Sequence, residues 1–92
     1  MTREARVAAV QLASGPEPEE NVERAIALVR RAANEGARYV QLPEYFNYRG
    51  PTSRYHSVAE TVPGATTKQL GALAQELGVT LHVGSLFEQA PA

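Results

Sequence analysis

Cysteine is absent from all 92 residues, and so is aspartate. Without cysteine the chain holds no disulfide, no zinc–thiolate site and no cysteine nucleophile. All ten acidic residues are glutamate, which excludes a phospho-acceptor receiver domain, since that chemistry needs aspartates at strand ends. An excess of either charge is also lacking: nine basic and ten acidic side chains leave a net charge of −1, spread along the chain. No basic stripe offers itself to nucleic acid and no polybasic segment to a membrane surface. No apolar run approaches the length of a membrane-spanning helix. The charged lead Met1-Thr2-Arg3-Glu4-Ala5-Arg6 enters only a short apolar run and does not read as a secretory signal. Cytoplasmic localisation is the expectation that follows.

What is present suffices for one domain at most. A chain of this size buries roughly 60–65% of its unfolded surface, so its core is modest. Residues 6–13 read as a first strand, with Val7, Ala8, Ala9, Val10 and Leu12 nearly continuous, as in a strand covered on both faces. Gln11 is expected to point inward and find a backbone partner. Turn residues Ser14-Gly15-Pro16-Glu17-Pro18 follow. A helix is expected over 21–35, with Asn21 as N-cap and Val22, Ala25, Ile26, Val29, Ala32 and Ala33 on one apolar face. The acidic cluster Glu17, Glu19, Glu20 and Glu23 suits the start of that helix as solvated charge rather than as a cation site, and Gly36 suits its end.

A second strand over 39–43 stops at Pro43, which removes a backbone donor from the ladder. Glu44 therefore stands at the carboxyl end of a strand, the edge where open α/β sheets place ligands. Aromatic residues follow at Tyr45, Phe46 and Tyr48. From Asn47 to Thr61 the Gly-Pro punctuation predicts a loop. A helix over 66–77 carries Leu70, Leu73, Ala74 and Leu77 at helical spacing, with Thr66 as N-cap, Gln69 completing a capping box and Gly78 as stop. Residues 79–87 form the third strand, with Val79, Leu81 and Val83 on one face and His82 on the other. Gly84-Ser85 suggests a bulge or a close backbone approach. His56 reads as a surface histidine, and Lys68, the single lysine, as a solvent-facing residue of the second helix. The order βαβαβ predicts parallel strands with helical crossovers, and two helices on one sheet face leave the other face without cover.

The residues now form a recognisable series: Arg6-Val7-Ala8-Ala9-Val10-Gln11-Leu12, then Gly36-Ala37-Arg38-Tyr39-Val40-Gln41-Leu42-Pro43-Glu44, then Pro63-Gly64, Leu73-Ala74-Gln75-Glu76-Leu77-Gly78 and Gly84-Ser85-Leu86-Phe87-Glu88. In order and spacing the series resembles, from Arg6 to Glu88, the N-terminal portion of the carbon–nitrogen hydrolase (nitrilase) superfamily, and residues 1–92 are read as part of one hydrolase domain. The resemblance implies an α/β fold, here an incomplete part of an α-β-β-α sandwich, and hydrolysis of a non-peptide C–N bond in a small amide, nitrile or N-carbamoyl compound. It implies no cofactor and no metal, and homo-oligomeric assembly. It implies a Glu-Lys-Cys triad in which Glu44 is the general base, with Tyr45, Phe46 and Tyr48 as candidate substrate contacts that also screen the carboxylate. The triad cysteine and lysine have no counterpart here, so the chain looks like about the first third of a hydrolase, inactive by itself. The alternative is a non-catalytic α/β module that keeps the half-fold for assembly, its bare sheet face driving self-association. Glu88 resembles a recurrent family position and is expected to be structural. A nucleotide-binding fragment is disfavoured, because the first strand-to-helix turn has one glycine, Gly15, and two prolines.

Overall fold

A computed structural model describes residues 4–90. Met1 to Arg3 of the charged lead, and the terminal Pro91-Ala92, lie outside the described residues. Three short strands, β1 (Val7–Ala9), β2 (Tyr39–Gln41) and β3 (Thr80–His82), pair in parallel in the order β1-β2-β3. Between them run α1 (Pro18–Asn34), α2 (Tyr55–Val58) after a 3₁₀ turn at Thr52–Arg54, and α3 (Ala65–Leu77).

The register explains which side chains are buried. Ala8, Val40 and Leu81 form one cross-strand row facing the helices. Val22, Ala25 and Val29 of α1 and Leu70 and Leu73 of α3 close over that row, joined by Leu42 and Phe46. Both long helices thus cover the same sheet face. The opposite face carries the rows Val7–Tyr39–Thr80 and Ala9–Gln41–His82, and apart from half-buried Tyr39 these residues are exposed. Gln11 continues this open face and is exposed, not inward with a backbone partner as the run suggested, because the period-2 alternation places it with Val7 and Ala9.

The strands are shorter than the apolar runs. The β1 ladder closes with the Val10 N–H donating to the Gln41 carbonyl (2.9 Å), and the β2–β3 ladder with Leu42 N–H donating to His82 (3.0 Å). Pro43 has no N–H to carry it further. Residues 83–87 leave the sheet, and Glu88 instead makes an isolated bridge with Glu60. Inside the expected loop, Tyr55–Val58 turns helical and buries Val58.

Helix boundaries also differ from the cap pattern. Helix α1 starts at Pro18 with Glu17 as N-cap; proline tolerates the first turn, where its missing N–H would be unpaired anyway. Helix α3 starts after Gly64, whose N–H donates to Thr67 Oγ1 (2.7 Å). Thr66 is therefore not the cap. Its N–H donates to Glu60 Oε1 (2.9 Å) and its hydroxyl to Glu60 Oε2. A carboxylate six residues upstream thus satisfies the first-turn donors and meets the positive end of the helix. Both long helices stop as their glycines suggest. Gly36 (φ 94°) and Gly78 (φ 65°) adopt left-handed backbone, and Ala37→Ala32 (3.0 Å) and Val79→Ala74 (3.1 Å) N–H to carbonyl bonds close the ends.

Candidate functional site at the carboxyl edge of the sheet

Where β2 ends at the carboxyl edge of the sheet, the chain turns through Pro43, Glu44 and Tyr45. Glu44 is exposed there, and no hydrogen bond or ion pair of the described residues ends on it. Its carboxylate is therefore not spent on a structural partner among the described residues. Of the three aromatics expected around it, Phe46 and Tyr48 are buried and Tyr45 is exposed. Phe46 is fully buried in the core cluster.

Tyr48 is 1% exposed, and its hydroxyl donates to the Pro51 carbonyl (2.7 Å). The Arg54 guanidinium lies 5.4 Å from its ring centroid, within cation–π range. Tyr45 is exposed and adopts φ 49°, an uncommon left-handed backbone for a residue with a side chain. Its ring stacks on Phe87 at 4.8 Å, and Phe87 in turn meets Tyr55 at 4.5 Å. Tyr45, Tyr48, Arg49, Gly50, Tyr55 and Phe87 line an open hollow of about 250 Å³ beside the Glu44 turn. Of the three aromatics named from sequence, Tyr45 and Tyr48 border this hollow and Phe46 does not.

Two asparagines are buried next to the turn, and one of them braces it. Asn21, read from sequence as a cap, is fully buried within the first turn of α1. Its Oδ1 accepts from Gly15 N–H (2.9 Å) and from Arg24 (2.9 Å). Its Nδ2 donates to the carbonyls of Gly15 (2.8 Å) and Asn47 (2.9 Å). This one side chain ties the β1–α1 loop to the segment that follows Glu44. The Ser14 hydroxyl adds a bond to the Phe46 carbonyl. The Asn47 carboxamide is also buried, and neither its oxygen nor its nitrogen has a protein partner.

Glu60 was not singled out by the sequence pattern, and Ser85 and Asn21 serve here in roles other than those read for them. At Gly84-Ser85, read as a bulge or a close backbone approach, the atoms nearest a Cβ on Gly84 belong instead to the His82 side-chain ring. His82 stands exposed on the open sheet face, and His56 and Lys68 are exposed as expected. A second, larger cleft lies along the starts of α1 and α3, bordered by Glu17, Glu19, Glu20, Glu23 and Glu60. Among the described residues no group of three or more His, Cys, Asp or Glu side chains is placed to hold a metal ion.

Comparison with known proteins places this geometry. The carbon-nitrogen hydrolase family matches residues 6–91. Omega-amidase NIT2 of Xenopus tropicalis is 39% identical over 84 residues, 91% of this chain and 30% of that protein. The human omega-amidase NIT2 is 37% identical over the same length. The crystal structure of Saccharomyces cerevisiae Nit3, a member of branch 10 of the nitrilase superfamily, superposes with a TM-score of 0.80 at 31% identity, covering 95% of this chain and 35% of that one. The chain thus spans about a third of the length of the relatives it matches. With the family matched over nearly its whole length, and with the parallel sheet that delivers Glu44 to an open carboxyl edge, the chain belongs to the carbon-nitrogen hydrolases.

Proposed function

We propose that this chain contributes the general base, Glu44, to an amidase-type hydrolase acting on a small-molecule amide. The observation that carries the reading is the Glu44 carboxylate, unpartnered among the described residues, at the carboxyl end of β2, within a family whose resembling members here are omega-amidases. Residues outside this chain supply the cysteine and lysine of the triad. Lys68, exposed in the first turn of α3, is not assigned to that role.

The chemistry fits a carboxylate that is free to exchange protons. Glu44 takes the thiol proton, and the thiolate attacks the amide carbonyl carbon. The lysine ammonium stabilises the oxyanion of the tetrahedral intermediate. The C–N bond then breaks, and the departing nitrogen leaves with the proton from Glu44. In the second half, Glu44 draws a proton from water, which attacks the thioester; the C–S bond breaks, the acid departs and the proton returns to sulfur.

Glu44→Gln tests the reading, because it keeps the shape and removes the base. Turnover of an ω-amide by the enzyme carrying this chain should fall by about 10²–10⁴-fold or more, with an unchanged far-UV circular dichroism spectrum. Wild-type turnover in that variant removes Glu44 from the base role.

A further inference from the structure

We propose that Ser85 is a positioning residue for Glu44, a role that rests on the base reading above. Contact between the two segments does not end with the β2–β3 ladder; it skips two residues and resumes as hydrogen bonds outside the sheet. Leu42 N–H donates to the His82 carbonyl (3.0 Å). Pro43 has no N–H, and no hydrogen bond of the described residues ends on Glu44. Then the Tyr45 N–H donates to Ser85 Oγ (3.0 Å) and the Phe46 N–H to the Ser85 carbonyl (3.1 Å). Glu44 is thus bridged on both sides by one segment, residues 82–85.

The second anchor holds the residue that most needs holding. Tyr45 is the one non-glycine residue with positive φ among the described residues. A left-handed backbone at a bulky residue persists where its surroundings over-determine it. Ser85 Oγ fixes the Tyr45 amide, and Phe87, two residues on, stacks against the Tyr45 ring. The 85–89 segment is itself fastened: Glu60 N–H donates to the Phe87 carbonyl (2.9 Å) and Gln89 N–H to the Glu60 carbonyl (2.6 Å), while the Glu60 carboxylate grips α3. The direction in which Glu44 leaves the backbone is therefore set through Tyr45 by the Ser85 hydroxyl. A proton acceptor must sit within hydrogen-bond reach of its donor, so the loss of this anchor is felt in the chemical step and not in substrate affinity.

The test is steady-state kinetics of ω-amide hydrolysis by the enzyme carrying this chain, with Ser85→Ala, Ser85→Thr, Glu44→Gln and Glu44→Gln/Ser85→Ala. Ser85→Ala should lower kcat about 10–100-fold with KM within about twofold, while Ser85→Thr, which keeps the hydroxyl, recovers most of the rate. In the Glu44→Gln background, Ser85→Ala should have no further effect on residual turnover, because Ser85 acts through Glu44. If Ser85→Ala does not fold, the near-isosteric pair Ser85→Thr and Ser85→Val poses the same question, with the hydroxyl as the sole chemical difference. A wild-type kcat in Ser85→Ala, an equal loss in both members of that pair, or full additivity with Glu44→Gln would overturn the proposal. An active Glu44→Gln enzyme overturns the base reading instead, so the two failures are told apart.

Discussion

The two faces of the sheet are built from the same nine strand residues and meet opposite environments. On the helix side, Ala8, Val40 and Leu81 pack beneath α1 and α3, and Val40 is completely buried. On the other side Val7 is 66% exposed, beside Ala9, Gln41, Thr80 and His82. The open face is therefore mixed, not the apolar surface that a continuous run in β1 suggested. The lesson is that a three-residue parallel strand need not be apolar on both sides. Polar residues from β2 and β3 dilute an alternation that looks uniform when β1 is read alone.

The difference between the faces is measurable. Leu70→Ala removes a fully buried side chain from the covered side and should cost about 2–5 kcal/mol in urea unfolding of the 92-residue chain. A cost below 1 kcal/mol would mean that α3 is not seated on the sheet. Asn21→Ala should come next, at about 1–3 kcal/mol, because it strands the buried Asn47 carbonyl and the Gly15 backbone groups. Restoration of stability by Asn21→Asp, which cannot donate, would show that the accepted bonds matter and the donated ones do not.

A smaller effect is expected where α1 and α3 meet at the surface. Arg30 and Glu76 pair there in two-point fashion, at 2.5 and 3.2 Å, and both side chains are about half exposed. The hydrogen bond to Arg30, reinforced by its charge, lowers the Glu76 pKa below the usual carboxylate value. A depressed folded-state pKa gives stability that is present above the unfolded-state value and is lost as pH falls through the folded one. Thermal melts of wild type and Glu76→Gln should therefore differ slightly at neutral pH and converge in acid and in 1 M salt. A gap that survives high salt would point to packing, not charge. Last, Val7→Thr on the open face should change the stability of the 92-residue chain by no more than about 0.5 kcal/mol. The same substitution in a longer polypeptide measures cover directly: a cost well above that value would report a second layer packed on this face, as the resemblance to an α-β-β-α sandwich implies.

Much of this arrangement was legible along the chain. The periodicity of Leu70, Leu73 and Leu77 and the paired stops at Gly36 and Gly78 are local physics, and they mark where helices run and finish. Pro43 marks the end of β2 for an equally local reason, the missing N–H, and so it placed Glu44 at the sheet edge. Caps and loops were less legible because their partners are distant. Thr66 looks like a cap in isolation but serves the Glu60 carboxylate, and Asn21 looks like a cap but reaches Asn47, 26 residues away. Phe46 follows Glu44 in sequence, yet the turn sends its ring into the core.

The sequence by itself determined the order of the three strands and two long helices and set Glu44 just past Pro43 at a strand end, because these rest on residue type and short-range spacing. Tertiary structure alone decided how that carboxylate is presented. The left-handed turn at Tyr45 meets Ser85 and Phe87, some 40 residues on, at the same strand end. Contacts between segments so far apart are made by the parallel register of β2 and β3, and no short-range pattern encodes that register.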